Sequence, residues 1–221
     1  MTTKLNYAEL EELATQLQHP NGENGIMIGH NMNENNIKMT ESSILKLDLK
    51  QNEQILELGH GNCGHLNYVL KQATNLGYIG LEISELMQKE AIKKNNQLLS
   101  SDIKFELFDG KTIPFYEKRF DKIFTVNTIY FWEDVSDFLR EIYRVLKSKG
   151  KFTLTFSTKD FMQTLPFTRF GFNLYSEKEV VDLLKLNLFK IESITKLDED
   201  TISKTGESVS RKSIIITCYK E

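Results

Sequence analysis

The stretch Ile55-Leu56-Glu57-Leu58-Gly59-His60-Gly61-Asn62-Cys63-Gly64 joins a short apolar run to a cluster of glycines, and Leu66, Val69 and Leu70 follow it at helical spacing. A buried strand that turns through glycines into a helix can bring backbone N–H groups against a bound nucleotide. Glycine permits this approach because it has no Cβ and tolerates a positive φ. Several kinds of nucleotide-binding protein share the Gly-x-Gly-x-x-Gly spacing, so the stretch indicates a nucleotide site without naming the ligand.

Strand and helix patterns alternate through the rest of the chain. The predicted strands are residues 54–58, 78–82, 103–107, 121–126, 151–157, 189–197 and 213–219. The predicted helices are residues 63–73, 84–98, 134–146 and 176–186. This alternation is typical of a parallel sheet with helices on both faces, joined by right-handed crossovers. No helix pattern separates the last two strands, and their polar linker at residues 198–212 predicts an antiparallel hairpin with a long loop.

The N-terminal region has a different pattern. Residues 1–50 are predicted to form a helical extension or lid on a single binding domain at residues 51–221. Apolar residues at helical spacing predict a helix over residues 6–18. The amide-rich segment 31–36 is predicted to be irregular, and Thr40 is a candidate N-cap for a short helix after it.

Composition and charge narrow the class of protein. The chain has 221 residues, a net charge of −3 and two cysteines. This charge gives no sign of a nucleic-acid partner. Cys63 and Cys218 match neither a metal-binding spacing nor a disulfide framework, so no metal and a reducing cytoplasm are expected. Residues 1–6 lack the apolar core of a signal peptide, and no apolar run reaches membrane-spanning length, so no membrane span is expected.

Acidic and amide side chains follow the ends of the predicted strands. Glu57, Glu82 and Asn127 take such positions, and so does Asp109, which precedes Gly110. Because the carboxyl ends of parallel strands meet at one edge of the sheet, a single ligand there can contact all of them. The Glu82 carboxylate can accept hydrogen bonds from a ribose, or it is a solvated acid at a strand end. Asp109 suits an adenine amine or a plain Asp-Gly turn, and Glu57 suits an amino group or an ordering role in the loop.

These residues resemble the class I S-adenosylmethionine-dependent methyltransferases. The likeness is carried by Glu57-x-Gly59-x-Gly61, Glu82, Asp109, Phe120-Asp121-Lys122-Ile123 and Arg144-Val145-Leu146-Lys147-Ser148-Lys149-Gly150-Lys151-Phe152. The most similar group is the small-molecule one that includes the ubiquinone/menaquinone-biosynthesis C-methyltransferases, and it covers residues 50–160 well. The resemblance implies a three-layer α/β sandwich whose seven-stranded, Rossmann-like sheet is mostly parallel with an antiparallel last strand. The chain departs at Cys63, where many members of the family have a third glycine.

The resemblance also implies a cofactor and its contacts. S-adenosyl-L-methionine is expected at the strand edge, with S-adenosyl-L-homocysteine as the product. The glycine loop is expected to hold the methionine part, Glu82 the ribose and Asp109 the adenine amine. Independently of the resemblance, His60 is either a base or a neutral residue on the loop surface, and motif caution favours the surface position. The implied cofactor-binding residues are Glu57, Gly59, His60, Gly61, Glu82, Ile83, Met87, Phe108, Asp109, Gly110, Asn127 and Thr128.

The acceptor site is less defined, because methyl transfer from a sulfonium requires alignment and exclusion of water more than a base. Candidate catalytic residues are His30, Asn127 and Tyr130. The aromatic-rich connection at residues 158–175 is predicted to be a mobile cover, a dimer contact or a locally packed loop. Candidate acceptor-binding residues, from this connection and from other aromatic or amide-rich segments, are Asn33, Tyr130, Trp132, Phe167 and Phe170.

The sequence therefore predicts a cytoplasmic S-adenosylmethionine-dependent methyltransferase, a monomer or homodimer, that acts on a small-molecule acceptor by in-line displacement. Alternatives are an RNA or protein methyltransferase and a non-catalytic domain that binds S-adenosylmethionine or NAD. The glycine spacing and Glu82 also suit NAD. The acid before the glycine loop, the Asp109-Gly110 pair and the helix-free last strand pair favour S-adenosylmethionine.

Overall fold

A seven-stranded sheet forms the centre of the computed structural model, which describes residues 5–221. The strands are β1 (Gln54–Leu58), β2 (Gly77–Glu82), β3 (Ile103–Leu107), β4 (Phe120–Val126), β5 (Leu146–Ser157), β6 (Lys190–Ile202) and β7 (Ser208–Tyr219). They lie in the order β3-β2-β1-β4-β5-β7-β6. Residues 1–4, on which the expectation about a signal peptide partly rests, lie outside the described part of the chain.

Strand direction confirms the predicted sheet. The pairs from β3 through β5 are parallel, whereas β7 runs antiparallel to both of its neighbours, β5 and β6. β1 lies between β2 and β4, and the chain order reverses there. Such a reversal leaves a crevice at the carboxyl ends of the strands, which is where ligands bind in open α/β sheets.

Helices cover both faces of the sheet. They are α1 (Tyr7–Gln18), α2 (Gly22–Leu47), α3 (Leu66–Leu70), α4 (Glu85–Lys94), α5 (Val135–Val145), α6 (Lys159–Met162) and α7 (Glu177–Leu186), with 3₁₀ turns at Ile129–Phe131 and Pro166–Arg169. α1, α5 and α7 pack into one apolar core, and α2, α3 and α4 pack into the other. The neighbours Ile55 and Leu56 are fully buried in different cores, as the alternation of side chains along a strand requires. The three-layer prediction is therefore confirmed.

No helix in residues 5–221 combines the length and the apolar character needed to cross a membrane.

Helix α2 departs from the sequence prediction. It is continuous from Gly22 to Leu47, so the predictions of an irregular segment at residues 31–36 and of a helix that begins after Thr40 are wrong. Asparagine is a weak helix former. Tertiary packing outweighs this propensity, because the C-terminal half of α2 buries Met39 and Ile44 completely and contacts β4 and β5.

The hairpin of β6 and β7 is longer than predicted. The long loop expected at residues 198–212 is wrong, because residues 203–207 alone connect the two strands. Opposite charges face each other in the polar part of the hairpin, where Glu199 lies in register with Arg211. Cross-strand pairs of opposite charge can stabilise paired strands that lack apolar side chains. The polar composition of residues 198–212 therefore led to the wrong prediction of a loop.

The aromatic-rich connection at residues 158–175 packs against the body of the protein. Met162, Leu165 and Phe167 are buried in the core that also holds α1. Phe170 contacts Tyr7 of α1 edge to face, with ring centroids 4.7 Å apart. These contacts favour the packed-loop interpretation of the connection over a mobile cover.

Candidate functional site

A cavity of about 170 Å³ opens at the carboxyl edge of the sheet, beside the reversal between β1 and β4. This first cavity is lined by the residues predicted to bind the cofactor, apart from Asp109. The predicted residues in its lining are Glu57, Gly59, His60, Gly61, Glu82, Ile83, Met87, Phe108, Gly110, Asn127 and Thr128. Asn33 and Trp132, predicted to bind the acceptor, line the same cavity. The fold therefore gathers residues from distant parts of the sequence.

The glycine loop after β1 keeps space open in this cavity. Gly59 and Gly61 have φ angles of 72° and 56°. A Cβ on Gly59 would clash with Thr128 Cγ2, whereas a Cβ on Gly61 would meet no atom of the described residues within 4 Å. Glycine at position 61 thus leaves room that any side chain would fill. Cys63 tolerates a φ of 44° in the same loop.

Glu82 anchors the glycine loop to the end of β2. Its Oε2 accepts a hydrogen bond from the Gly61 N–H at 2.9 Å. Its Oε1 accepts from Ile83 N–H at 2.8 Å and from Ser84 N–H at 3.1 Å. A carboxylate offers about four acceptor positions, so the buried Glu82 retains about one for a ligand.

Glu57 lies in a buried cluster that the sequence analysis did not find. His65 Nε2 lies 2.9 Å from a Glu57 carboxylate oxygen, and the Tyr78 hydroxyl donates a hydrogen bond to the same carboxylate. The Cys63 thiol lies 3.2 Å from that hydroxyl. Burial disfavours the charged form of His65, but Glu57 and Cys63 outweigh it and hold the pKa of His65 well above its ordinary value. The cluster ties the loop to both β1 and β2.

Glu57, Cys63 and His65 each have one atom that could bind a metal ion, and these three atoms all lie within 4.8 Å of one another. Cysteine spacing alone did not indicate this group, because two of its members are not cysteines and the fold brings them together. In this structure direct hydrogen bonds join the three side chains.

His60 is buried, so the expectation that it lies on the loop surface is wrong. Its ring fits over β2 because Gly80 has no side chain, and a Cβ there would lie 2.6 Å from His60 Cδ2. Nδ1 donates a hydrogen bond to the Gly61 carbonyl at 2.7 Å. Burial lowers the pKa of His60, so the ring is neutral. Nε2 is buried and has no hydrogen-bond partner among the described residues.

Asp109 is exposed and does not line the first cavity within the described structure. Its Oδ1 accepts hydrogen bonds from Thr112 N–H at 2.7 Å and Lys111 N–H at 2.8 Å. These backbone donors lower the pKa of the Asp109 carboxyl. The geometry is that of an Asp-Gly turn, and the role of Asp109 toward adenine stays a prediction.

Aromatic rings form an apolar wall of the first cavity. Phe108 stacks on Phe138, with ring centroids 6.2 Å apart and planes inclined by 28°. Trp132 contacts the same Phe138 edge to face at 4.8 Å. All three rings line the cavity, and such a surface suits the flat face of a base.

Asn127 connects the first cavity to a second one. It has a φ of 60°, and its backbone N–H donates to the Thr155 carbonyl at 2.8 Å. Its side-chain Oδ1 lies 3.1 Å from the Tyr130 hydroxyl, which accepts a hydrogen bond from Ser157 N–H at 2.6 Å. Burial raises the pKa of Tyr130, so the phenol stays protonated at neutral pH.

The second cavity, of about 90 Å³, has a mostly apolar lining. Its apolar residues are Leu17, Met32, Tyr130, Phe131, Phe161, Met162, Leu165, Phe167, Phe172, Ile202 and Val209. Leu17, Met32, Asn36, Asn127 and Phe131 line both cavities, so the two adjoin. Sequence reasoning predicted Tyr130, Phe167 and, on α2, only the neighbouring Asn33, and it missed the hairpin.

Two predicted site residues lie away from both cavities. His30 is exposed on α2, and Phe170 packs on Tyr7. Neither side chain belongs to the lining of the first or the second cavity among the described residues. Their predicted roles in catalysis and acceptor binding remain predictions.

Known proteins share the sequence pattern and the fold. YrhH of Bacillus subtilis is 29% identical over 114 residues, which are 51% of this chain and 62% of YrhH. The ubiquinone/menaquinone biosynthesis C-methyltransferase UbiE of Rickettsia typhi is 33% identical over 129 residues, 53% of this chain and 52% of UbiE. The alignments thus span about three fifths of YrhH and half of UbiE.

A solved structure extends the likeness of fold. The geranyl diphosphate C-methyltransferase from Streptomyces coelicolor, in complex with Mg²⁺, geranyl diphosphate and S-adenosyl-L-homocysteine, superposes with a TM-score of 0.70 at 12% identity. The match covers 83% of this chain and 77% of that chain.

The fold places the first cavity at the reversal of the sheet, which is where open α/β sheets bind ligands. A family model described as a methyltransferase domain matches residues 56–154. This match and the similarity to UbiE support a class I S-adenosylmethionine-dependent methyltransferase.

Proposed function

We propose that this protein transfers the methyl group of S-adenosylmethionine to a small-molecule acceptor. The observation that carries the proposal is the first cavity, where Glu82 retains an acceptor position beside the open space at Gly61. A nucleoside with hydroxyl donors fits this site, because the remaining acceptor position of Glu82 is otherwise unused.

Different residues of the first cavity would contact different parts of the cofactor. Glu82 would accept a ribose hydroxyl, the stack of Phe108 on Phe138 would face the base, and the glycine loop would hold the methionine part. S-adenosylmethionine, when bound, supplies an activated methyl group. This division follows the family resemblance and the positions of the cavity residues.

The second cavity supports a small acceptor. It adjoins the first at Asn127 and Phe131, and we expect its mostly apolar lining, once an acceptor is bound, to reduce the water between the two. Tyr130 keeps its proton at neutral pH, and His30 lies away from both cavities, so the chain's own residues align the acceptor without an evident base. Relatives include UbiE, named for ubiquinone/menaquinone biosynthesis, and a fatty-acid O-methyltransferase of Mycolicibacterium smegmatis.

The intrinsic fluorescence of Trp132 tests cofactor binding. Trp132 is the single tryptophan of the chain and lines the first cavity, so its emission reports directly on a ligand there. We expect saturable changes with S-adenosylmethionine and S-adenosylhomocysteine and none with NAD at the same concentrations. Saturation by NAD but not by S-adenosylhomocysteine would contradict the proposal.

A matched pair of glycine variants locates the site. Gly61 and Gly22 both have positive φ, 56° and 62°, and a Cβ on either would meet no atom of residues 5–221 within 4 Å. Backbone strain is therefore similar in Gly61→Ala and Gly22→Ala, but only Gly61 lines the first cavity. Gly61→Ala is expected to weaken S-adenosylhomocysteine binding about tenfold or more, a loss of about 1.4 kcal/mol or greater. Equal affinity in both variants would place the ligand elsewhere.

Turnover separates the acceptor classes. The protein is incubated with S-adenosylmethionine labelled in its methyl group and with a cell extract that has been fractionated by size. We expect label in small molecules and not in RNA or protein. Label in the macromolecular fraction alone would contradict the small-molecule proposal, and binding without any transfer would favour a non-catalytic domain.

A further inference from the structure

The second cavity combines its apolar lining with two cations from the hairpin, Lys204 and Arg211. Thr201 and Ser203 add hydroxyl groups to the same lining. No aspartate or glutamate belongs to this lining among the described residues. The balance of charge around the two cations therefore determines which ligand the cavity accepts.

Arg211 is already neutralised. Its guanidinium donates to Glu199 Oε1 at 2.6 Å and 3.1 Å, so the two side chains form a buried ion pair. It also donates to Asn36 Oδ1 and to the Asn35 carbonyl of α2, each at 2.6 Å. These bonds fix the hairpin on α2 and leave Arg211 without spare positive charge.

Lys204 has no such partner. Its Nζ donates one hydrogen bond, at 3.3 Å, to the Asn31 carbonyl of α2, and it forms no ion pair with a carboxylate in the described chain. Burial and the nearby Arg211 lower its pKa to about 8. A half-buried ammonium with one long hydrogen bond is costly. A ligand anion would offset that cost, whereas a second cation would increase it.

We propose that the methyl acceptor is an anionic molecule with an apolar body, and that the second cavity holds it by pairing its anion with Lys204. The inference rests on the proposed function, because it names the acceptor class of the same site. The apolar body lies against Phe161, Phe167 and Phe172, and the reacting atom reaches the first cavity past Asn127. A carboxylate and a phosphate share this chemistry.

Matched ligands of equal chain length test the pairing. Octanoate, octyl phosphate, 1-octanol and octylamine are titrated by calorimetry at pH 7, with and without saturating S-adenosylhomocysteine. We expect both anions to bind more tightly than octanol, about tenfold or more, and octylamine to bind least, because hydrogen bonds between opposite charges are the strong ones. Octanol or octylamine binding as tightly as octanoate would overturn the inference.

Substitutions assign the effect to Lys204. Lys204→Met is expected to weaken octanoate binding about tenfold to a hundredfold and to leave octanol affinity unchanged, whereas Lys204→Arg retains most of the affinity. Lys212→Met on the same hairpin is the control, since Lys212 is exposed and does not line the second cavity. Unchanged octanoate affinity in Lys204→Met would overturn the inference.

The failures of the two proposals are distinguishable. If S-adenosylhomocysteine binds the wild-type protein but octanoate binding does not depend on Lys204, the acceptor inference fails and the proposed function stands. If S-adenosylhomocysteine does not bind, the proposed function fails, and with it the acceptor role of Lys204. Octanoate binding in that case would describe an anion site without a methyl donor.

Discussion

Replacement of Glu82 by glutamine tests two roles of its carboxylate, which are holding the glycine loop and binding a ligand. The carboxylate accepts three backbone hydrogen bonds that hold the glycine loop and the start of α4, and its remaining acceptor position is assigned to a ribose hydroxyl. In Glu82→Gln the amide oxygen can keep the bonds from Ile83 and Ser84. The amide NH₂ then faces the Gly61 N–H, so two donors oppose each other.

The expected loss follows from these bonds. A hydrogen bond to a charged group contributes about 1.5–3 kcal/mol, so loss of the ribose bond alone predicts binding that is weaker by about 10-fold to 100-fold. The distorted Gly61 contact adds a further loss that does not depend on the ribose. A single affinity therefore cannot separate the two effects.

A thermodynamic cycle with two ligands separates the loss of the ribose bond from the distortion at Gly61. Adenosine and 2′,3′-dideoxyadenosine differ only in the two ribose hydroxyls, and each is titrated against wild-type protein and Glu82→Gln by Trp132 fluorescence. We expect the substitution to weaken adenosine by about 10-fold more than dideoxyadenosine, because a coupling term of this kind isolates the direct bond. Equal losses for both ligands would refute the ribose assignment. Glu85→Gln is the control, since that exposed carboxylate pairs with Lys89.

Further predictions follow from titrating and buried groups. His65 has a raised pKa, so its ion pair with Glu57 stabilises the fold fully below about pH 6.5 and less as the pH rises through the folded-state pKa of His65. The melting temperature should therefore decline over this pH range in the wild-type protein and not in His65→Gln. A flat wild-type profile would contradict this prediction. Octanoate affinity should fall as the pH rises through about 8, because Lys204 loses its proton there beside the Arg211–Glu199 pair and the Asn31 carbonyl. Lys204→Arg should remove this pH dependence. A pH dependence that persists in Lys204→Arg would refute the assignment to Lys204. Tyr130→Phe should cost about 1–3 kcal/mol in urea unfolding, because the buried Ser157 N–H loses its acceptor, and an unchanged free energy of unfolding would argue against that bond.

Local sequence patterns predicted most of the sheet and one cavity. The strands near residues 54–58, 78–82 and 103–107 follow from short apolar runs with turns between them, and the structure places them within about a residue of those limits. Because strand order brings the ends of β1, β2 and β4 together, the polar residues at those ends line one cavity. Both inferences depend on neighbours in the chain or on a general rule of α/β sheets.

The remaining features depend on contacts between distant residues. His60 is buried because Gly80, on the next strand, leaves a hollow for its ring. The amide-rich part of α2 is helical although asparagine disfavours helices. Lys204 reaches the second cavity because the hairpin is paired through a polar stretch that resembled a loop. No local pattern contains this information.

Helix α2 contributes wall to both cavities through Met32 and Asn36. A ligand that moves this helix while entering one cavity also reshapes the other. The binding of cofactor and the binding of acceptor are then thermodynamically linked. The factor by which the cofactor changes the affinity for the acceptor equals the factor by which the acceptor changes the affinity for the cofactor. If α2 moves in this way, the affinity measured for either ligand alone will differ from its affinity when the other is bound.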